Sequence, residues 1–451
     1  MSEGPTPTTR WRATSPRRTH PVTALIKAVR VAPGLFIFFF IFGGDGITDT
    51  VGRLGAAGIV IVAVTVTALA TWWSWARLTF WFDEAGDFRI RSGIWQHHEQ
   101  RVQVSRLQSV DVSQPLIARI FGLAAVRPEV AGSAPEKTSL EYLTLERAHQ
   151  LRAELLARAA GISVGADGPA PVAPERVLAR VPGATLLASV LLQPITLFAL
   201  LALPVLIGAF AFGVWQAALP VLFVLVAPLF VAANQFLNWF NFTVAESPDG
   251  LRLRFGLTSH RSQTVPPGRV QAVRLESPLM WQPWGWAKVT VNVAGTGGDD
   301  ASTAHPSVVL PVAPLAVARA VLAQALPGVD PFAVPLEPVS RRARWRAPLQ
   351  FKRLAVGSND EFFVARHGWL VPMWDVVPHA RTQSVRLTQG PWERKLSLAS
   401  VHIDSTPGPI RITAAHRDAG QARRLVEEQS QQAKRARARS APDRWLSGGA
   451  P

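Results

Sequence analysis

The chain has 451 residues and a formal net charge of +16, and it contains no Cys. This length is enough for several domains, and the absence of Cys excludes disulfides, thiolate metal sites and a cysteine nucleophile. In a chain that also carries long apolar runs, the positive charge favours attraction to anionic lipid headgroups, and no nucleic acid partner is expected.

The first 76 residues combine a basic tail with apolar sequence. Residues 1–30 carry six Lys or Arg and one acid, and residues 54–76 carry no charged side chain. About 20 apolar residues cross a bilayer core as a helix, so 54–75 predicts one span. The stretch 31–44 is shorter and allows two readings, a second span or a re-entrant segment. We favour the span, which makes 31–76 a transmembrane hairpin.

A second uncharged block runs from 181 to 245 and is long enough for two helices. The sequence predicts spans at 186–210 and 215–236, joined by a turn at 211–213, within a hairpin at 181–240. Because Lys and Arg concentrate before the first span, the positive-inside rule places both termini and all soluble parts in the cytoplasm. The predicted location is therefore the cytoplasmic membrane, in multi-pass form.

A soluble module follows each hairpin, and the two modules are copies of one another. Residues 89–132 recur at 252–295 with a constant offset of 163 and no gap. A fixed period of this kind indicates a duplicated unit. Alternating apolar and polar residues predict short strands, and each module closes with an amphipathic helix. The boundaries predicted are 77–160 and 241–327, with a linker at 161–180.

A third, weaker copy is predicted at 354–430, without a hairpin before it. Gly368 and Arg381 fall 112 residues after Gly256 and Arg269, and Ser397 replaces a glycine. A basic linker at 328–353 precedes this copy, and a basic tail at 431–451 follows it.

The repeated pattern reads Arg-apolar-Gln-x-Val, then Pro-Leu, then Gly-apolar-Ala-x-Val, then Ala-Gly. It resembles the bacterial pleckstrin-homology (PH) domain, in the multi-copy type in which transmembrane hairpins alternate with PH modules. The resemblance covers residues 31–430. It implies an α+β fold, with helical transmembrane hairpins and three PH-like antiparallel β-barrels, each capped by a C-terminal helix. It implies no particular activity.

Paired arginines on predicted strands are candidate lipid or partner-binding residues. Arg89 with Arg91, and Arg252 with Arg254, are spaced i, i+2 and therefore share a strand face. Paired guanidiniums suit phosphate oxygens, and an early basic strand resembles the phosphoinositide site of eukaryotic PH domains. The alternative is a solvated strand face. The linker adds four further basic candidates, Arg341, Arg342, Arg344 and Arg346.

A second set of polar residues marks the repeat itself. Their positions coincide in the three copies, which favours a structural role in satisfying backbone groups where strands bend; a headgroup or peptide pocket is the alternative. These residues are Arg106, Gln108, Arg269, Gln271, Arg381 and Gln383.

Motifs of known catalytic sites are missing from the sequence, and no enzyme, cofactor or metal is expected. The predicted function is a non-enzymatic membrane scaffold whose PH-like modules bind lipids or proteins, with a role in envelope homeostasis or stress resistance. A protein partner or a homo-oligomer is expected. The alternative is a component of a transporter or export channel, which the lack of charge within the predicted spans disfavours.

Overall fold

The structure is a computed structural model. It describes residues 17–18, 62–130, 140–159, 175–294 and 308–439, apart from short gaps at 63–64, 68, 74, 84–86, 93–97, 105–106, 213–214, 248–249, 266–267 and 407. The chain divides into two compact units, Met1–Val172 and Ala173–Pro451. The predicted 31–44 span lies outside the described residues, and helical residues are described between 62 and 76.

The first unit contains one module built from two sheets. Strands β1 to β4 pair antiparallel in chain order, and β2 and β3 alternate between buried apolar residues and more exposed ones, as a half-buried sheet requires. Phe80, Phe82 and Phe88 fill the core beneath them. The elements are β1 (Arg17–Arg18), β2 (Thr79–Phe82), β3 (Phe88–Ser92), β4 (His98–Val102), β5 (Leu107–Pro115), α1 (Leu116–Ile120), β6 (Leu123–Val130), β7 (Leu140–Thr144) and α2 (Leu145–Ala159).

The second unit begins with a second module of the same order. Its first strand and its second are separated by three helices rather than by a short turn. The elements are β8 (Arg176–Arg180), α3 (Gly183–Leu191), α4 (Pro194–Ala211), α5 (Trp215–Trp239), β9 (Thr243–Ser247), β10 (Gly250–Phe255), β11 (Ser259–Val265), β12 (Val270–Glu276), a 3₁₀ turn (Leu279–Trp284), β13 (Trp286–Val293), β14 (Val308–Pro314) and α6 (Leu315–Ala325).

The third module completes the second unit. Its elements are β15 (Glu337–Pro338), a 3₁₀ turn (Arg341–Trp345), β16 (Ala355–Ser358), β17 (Phe362–His367), β18 (Met373–Pro378), a 3₁₀ turn (His379–Arg381), β19 (Ser384–Thr388), α7 (Pro391–Lys395), β20 (Leu398–Asp404), β21 (Ile412–Asp418) and α8 (Ala419–Arg439). As predicted, a helix follows the last strand of every module.

The internal repeat predicted from the sequence recurs in the structure. Strand β6 starts at Leu123 and β13 at Trp286, which preserves the offset of 163. The register of β5 against β6 shifts between Leu107 and Ser109, and that of β12 against β13 shifts between Val270 and Ala272. The repeated Arg-apolar-Gln motif therefore marks a bulge at its Gln in both modules.

The sheets do not follow the predicted division into three separate barrels. Within the second unit, β12 of the second module pairs antiparallel with β18 of the third, and one seven-stranded sheet runs from β14 to β15. The two modules therefore share a sheet and its backbone hydrogen bonds.

The helix predicted over 186–210 is broken in two. Pro194 lacks an N–H and disfavours helical geometry at Gln193, so α3 ends at Leu191 and α4 starts anew. Among the described residues, no single helix is both long and apolar enough to cross a membrane. The bent pair Gly183–Leu191 with Pro194–Ala209, with an angle of 70°, meets those criteria by length and composition.

Helix α3 belongs to the core of the second module. Leu186 and Val190 are buried with Trp281, whose Nε1 donates to the carbonyl of Ser189 at 3.0 Å. The predicted start of a span at residue 186 thus falls within a helix packed on the module. Hydropathy does not distinguish an apolar helix that packs on a protein core from one that faces lipid. This explains why the sequence predicted that α3 lies in the membrane.

Three predicted boundaries also shift. Residues 176–180 of the predicted linker form β8, and α8 continues nine residues into the predicted tail, to Arg439. The predicted basic linker 328–353 contains β15 and a 3₁₀ turn whose Ala343 is buried, as is Ala347 just after it. This segment is therefore a folded part of the third module.

Glycines at strand turns supply a first test. Gly256 has a φ of +110°, and an added Cβ would lie 2.0 Å from the carbonyl oxygen of Ser259. Gly285 has a φ of +61°, with open space around its missing Cβ. We expect Gly256→Ala to lower the free energy of unfolding by at least about 1–3 kcal/mol, because the new Cβ meets backbone in a strained conformation. Gly285→Asn should lower it by about 1 kcal/mol or less, because Asn adopts the left-handed region more readily than other residues with a side chain. Thermal unfolding of the solubilised full chain compares the two, and equal losses would contradict this account.

An ion pair links the two modules at the shared sheet. Arg274 on β12 lies opposite Asp375 on β18, with 2.6 Å from its Nε to Oδ1 and 2.8 Å from its Nη2 to Oδ2. The Asp375 side chain is 0 % exposed. Burial opposes the charge of Arg274, but the bonds to Asp375 prevail and raise its pKa. The carboxylate is thus fully desolvated, and its partner comes from the other module.

Breaking this pair should be far more costly than breaking a surface pair. We expect Asp375→Asn to destabilise the second unit by about 3–5 kcal/mol, because it leaves a buried guanidinium without its carboxylate. The matched control is Asp404→Asn, which breaks the exposed pair of Asp404 with Arg386 and should cost about 1 kcal/mol or less. The denaturation midpoints of the two variants test this expectation, and the rate of proteolysis between the modules is a second readout. A similarly small loss of stability in both variants would refute the role of Arg274.

Candidate functional site

The paired arginines of the first module face carboxylates. Arg91 and Arg89 both donate to Glu99, at 2.9 and 2.8 Å, and Arg89 also bonds Asp83 at 3.0 Å. The bonds from Arg91 and then Arg89 lower the pKa of Glu99. The two guanidiniums therefore lie together, but their charge is largely balanced by acids of the same sheet.

The paired arginines of the second module meet at one carboxylate too. Arg252 and Arg254 on β10 both bond Glu175, the residue before β8, and the Arg254 contact measures 2.8 Å. In the third module only Arg366 occupies this position, and its Nε donates to the carbonyl of Arg353 at 3.0 Å. Burial, followed by repulsion from Arg353, lowers the pKa of Arg366. A headgroup-binding role for these pairs stays a prediction.

Two of the repeat-motif side chains, those of Gln271 and Arg381, donate to backbone carbonyls. Gln271 is buried and its Nε2 donates to the carbonyl of Arg269 at 3.2 Å. Arg381 donates to the carbonyl of Gly268 at 2.5 Å, which joins the third module to the second. Gln383 is exposed, and its backbone N–H bonds the Asp404 carbonyl at 2.8 Å. Arg106 lies outside the described residues, and only the backbone of Gln108 is described.

The third module contains a cleft of about 380 Å³ that sequence reasoning missed. Glu393 lies at its base: its Oε1 accepts from Ser400 Oγ at 2.7 Å and lies 2.8 Å from His416 Nδ1. Its Oε2 accepts from the Gly390 N–H at 3.0 Å. Burial opposes the charge of Glu393, yet the three donors together lower its pKa.

The polar side chains of this cleft are hydrogen-bonded to one another. Ser400 donates to the Glu393 carboxylate, which also faces His416. His402 bonds two hydroxyls instead, with Nε2 2.9 Å from Thr388 and Nδ1 3.1 Å from Thr413. Among the described residues, no group of three His, Cys, Asp or Glu is placed to hold a metal ion.

A local signal could have located Glu393. Gly390 precedes Pro391 at the first helical position, and Glu393 at the third accepts a hydrogen bond from the Gly390 backbone N–H, which is the half of a capping box that a glycine N-cap allows. The sequence pattern Gly-Pro-x-Glu therefore predicts both the short helix and the inward carboxylate. His402 and His416 offer no such signal, because β20 and β21 bring them together only in the folded sheet.

The basic residues of the segment 339–354 lie beside this cleft. Arg341, Arg342, Arg344 and Arg346 are all exposed, and Arg346 lines the cleft. The guanidinium of Arg344 lies 5.4 Å from the centre of the Trp345 ring, and Arg342 Nη1 lies 3.9 Å from Asp418. The structure thus brings all four predicted linker arginines onto one exposed turn. Arg342 among them contacts an acid, whereas both members of each strand pair bond carboxylates.

Comparison with known proteins agrees with this repeated architecture. The model of the bacterial PH domain matches residues 35–159, 176–329 and 333–433, which span the three modules. The chain belongs to the bacterial PH domain family. The resemblance predicted from the sequence is therefore confirmed, and the third PH domain begins about 20 residues before the predicted position.

The chain is also similar to a named bacterial membrane protein. UPF0699 transmembrane protein YdbT of Bacillus subtilis (strain 168) is 22% identical over 321 residues, which cover 63% of this chain and 64% of that protein. The match therefore leaves about a third of the relative outside the comparison. No solved structure matches the chain.

The carboxylate in the cleft gives a testable prediction. Glu393→Gln replaces the carboxylate that faces three donors with a neutral amide. We expect this change to lower the free energy of unfolding by about 1–3 kcal/mol at neutral pH. Because the folded pKa of Glu393 is lowered, its contribution is present above the unfolded value and is lost as pH falls through the folded one. The variant should therefore lose part of the acid sensitivity of the native chain. Glu428→Gln on the exposed face of α8 is the matched control, and Tm measured against pH distinguishes them.

Proposed function

We propose that the protein is a non-enzymatic integral membrane protein whose PH domains form a lipid- or protein-binding scaffold at the inner surface of the cytoplasmic membrane. The observation that carries the proposal is the pair of helices inserted between the first and second strands of the second PH domain. These helices expose large apolar side chains that a water-exposed surface would not present in such density.

The exposed side chains of α4 and α5 surround a narrow buried seam. Ala199, Leu206 and Leu225 are buried where the two helices pack. Large side chains are exposed among the described residues of the pair, namely Ile195, Phe198, Leu201, Val205, Ile207, Phe230 and Val231. A helix of 18 residues is about 27 Å long, close to the roughly 30 Å hydrocarbon core. This pattern supports a lipid-facing hairpin.

The first PH domain offers matching support. Between 62 and 76 the helical residues expose Val62, Val66 and Leu69, and Trp72 and Trp73 follow near the end. Arg77 then lies 5.9 Å from the Trp73 ring. Trp followed by a basic residue is typical of a helix end at the membrane–water interface. The relative from Bacillus subtilis is named a transmembrane protein, which supports the same location.

The scaffold role follows from what the PH domains present. Their exposed turns and basic segments can contact lipid or protein. A role in envelope homeostasis or stress resistance fits such a platform. In the described residues, nothing specific favours the transporter alternative.

Membrane insertion can be tested with one substitution and its control. Leu201→Arg places a charge in the exposed face of α4, and insertion of arginine at the centre of a span costs about 2.5–3.5 kcal/mol. We expect a smaller fraction of this variant in the carbonate-resistant membrane pellet. Val177→Arg replaces a similarly exposed apolar residue on β8 and should behave as the native chain. Complete carbonate extraction of the native chain would refute the hairpin.

Orientation can be tested separately, because the chain has no Cys. Phe212→Cys lies in the turn after α4, and Asp360→Cys lies in the turn between β16 and β17. An impermeant maleimide should label Phe212→Cys in intact cells and Asp360→Cys only after permeabilisation. The reverse pattern would contradict the cytoplasmic placement of the PH domains.

A further inference from the structure

The third PH domain has a short, basic insertion at the point where the other two carry apolar helices. In each domain the first and second strands pair directly, as β1 with β2, β8 with β9 and β15 with β16. The segment between them is 19–78 in the first domain and 181–242 in the second, but only 339–354 in the third. The basic turn therefore occupies the position of a hairpin.

This insertion has the composition of a membrane interface. Residues 339–354 hold five Arg and one Lys and no acid. Trp345 is 75 % exposed and Leu349 is 63 % exposed. Ala343 and Ala347 are buried beneath them, so the turn is anchored to the domain while its large apolar side chains point outward. Trp and basic residues together are typical of segments at the depth of lipid headgroups.

The same end of the shared sheet carries further exposed aromatic residues. Across neighbouring strands, Glu276 lies opposite Met373, and Met373 lies opposite His367. Arg366, next to His367, lies opposite Ala355, which in turn lies opposite Pro338. The three turns that follow or precede these residues therefore lie along the same edge of the sheet. These turns are 279–284, 368–372 and 339–354. Backbone bonds hold the first two together, from Leu279 N–H to the Leu370 carbonyl at 3.0 Å. We call this edge the rim; its exposed residues are Trp284, Trp369, Leu370, Trp345 and Leu349.

The rim adjoins the base of the apolar helices. Trp281, in the first rim turn, donates to the carbonyl of Ser189 on α3, and α4 begins five residues later at Pro194. The rim is therefore continuous with the segment that leads into the proposed hairpin. Trp392, which is 70 % exposed, lines the cleft together with Arg346 and extends the apolar surface on the side of the third domain.

We propose that the rim rests in the headgroup layer of the anionic membrane that α4 and α5 enter, with Trp345 and Leu349 inserted and Arg341, Arg342, Arg344 and Arg346 against lipid phosphates. The third PH domain, which lacks a hairpin, is held at the bilayer by this contact. The inference rests on the proposed membrane function and deepens it by naming the surface and the ligand chemistry.

The basic end of α8 provides a matched control within the same domain. Asp418, just before α8, contacts Arg342 on the rim side, and the helix then runs 21 residues to Arg439. At about 1.5 Å per residue this places its last turn about 30 Å from its start. The rim arginines and the four basic residues of that last part, Lys434, Arg435, Arg437 and Arg439, are therefore separate charge clusters of equal number.

The test uses the full chain in nanodiscs of phosphatidylcholine with or without phosphatidylglycerol. Leu349→Cys and Trp345→Cys carry an environment-sensitive fluorophore, and Asp360→Cys, at the far end of β16, is the reference site. We expect blue-shifted emission and quenching by headgroup-proximal nitroxide lipid at 349 and 345, and neither at 360. Quenching should be stronger with the anionic lipid and weaken as salt rises.

Charge variants separate this contact from nonspecific attraction. Replacing Arg341, Arg342, Arg344 and Arg346 by Gln should reduce quenching at position 349 severalfold in anionic nanodiscs. Replacing the four basic residues at the end of α8 by Gln should leave it unchanged. An equal loss from both sets would overturn the proposal, because net charge alone would then account for the contact.

Two other outcomes also overturn it. Emission at 349 and 345 that matches 360, in a chain that still resists carbonate extraction, would remove the rim contact while the membrane function stands. A blue shift that nitroxide lipid does not quench would identify a protein surface, such as a second copy of the chain, as the occupant. Failure of the proposed function itself would show as loss of carbonate resistance, which the rim substitutions should not affect.

Discussion

The second unit depends on one desolvated ion pair, between Arg274 and Asp375. A buried carboxylate without a partner is strongly unfavourable, and here the partner comes from a different PH domain. The pair lies directly across the β12–β18 ladder, so the register of the shared sheet is correct only when both charges meet. His367 Nδ1 lies 3.8 Å from Asp375 on the other side, and burial lowers the pKa of that histidine. Neutral imidazole beside the pair leaves Arg274 as the main counter-charge.

A shared sheet changes what each domain can do. Three independent barrels would be free to orient separately, whereas a common ladder fixes the edges of the second and third domains along one rim. Exposed turns that are far apart in sequence, at 279–284 and 339–354, thereby become parts of a single surface. If α4 and α5 enter the membrane as proposed, their position beside that surface determines which side of the third domain faces the bilayer.

Much of the fold could be predicted from the repeat. The constant offset located the strands of the first two modules, because alternation of apolar and polar residues is a local consequence of residue type. The broken helix at Pro194 was also readable from backbone chemistry. The start of the third domain could not be read: β15 has two residues, and the six basic residues after it resemble a solvated linker. Burial of Ala343 and Ala347 depends on packing that no local pattern encodes.

The ion pairs of the candidate site also could not be predicted from the sequence alone. Sequence spacing correctly grouped Arg252 with Arg254, but Glu175, their shared partner, lies 77 residues before Arg252. Counting basic residues therefore overstates the charge available on the strands and understates the contrast with 339–354, which contains no acid of its own and where Arg342 has only a 3.9 Å contact with Asp418. If the rim contacts lipid as proposed, the third domain has this turn where the second has apolar helices, and clustered arginines with outward Trp and Leu side chains give a short loop contact with the same surface. Duplication followed by such a replacement would then account for the accumulation of basic residues at this point of the third domain and not at the equivalent strands.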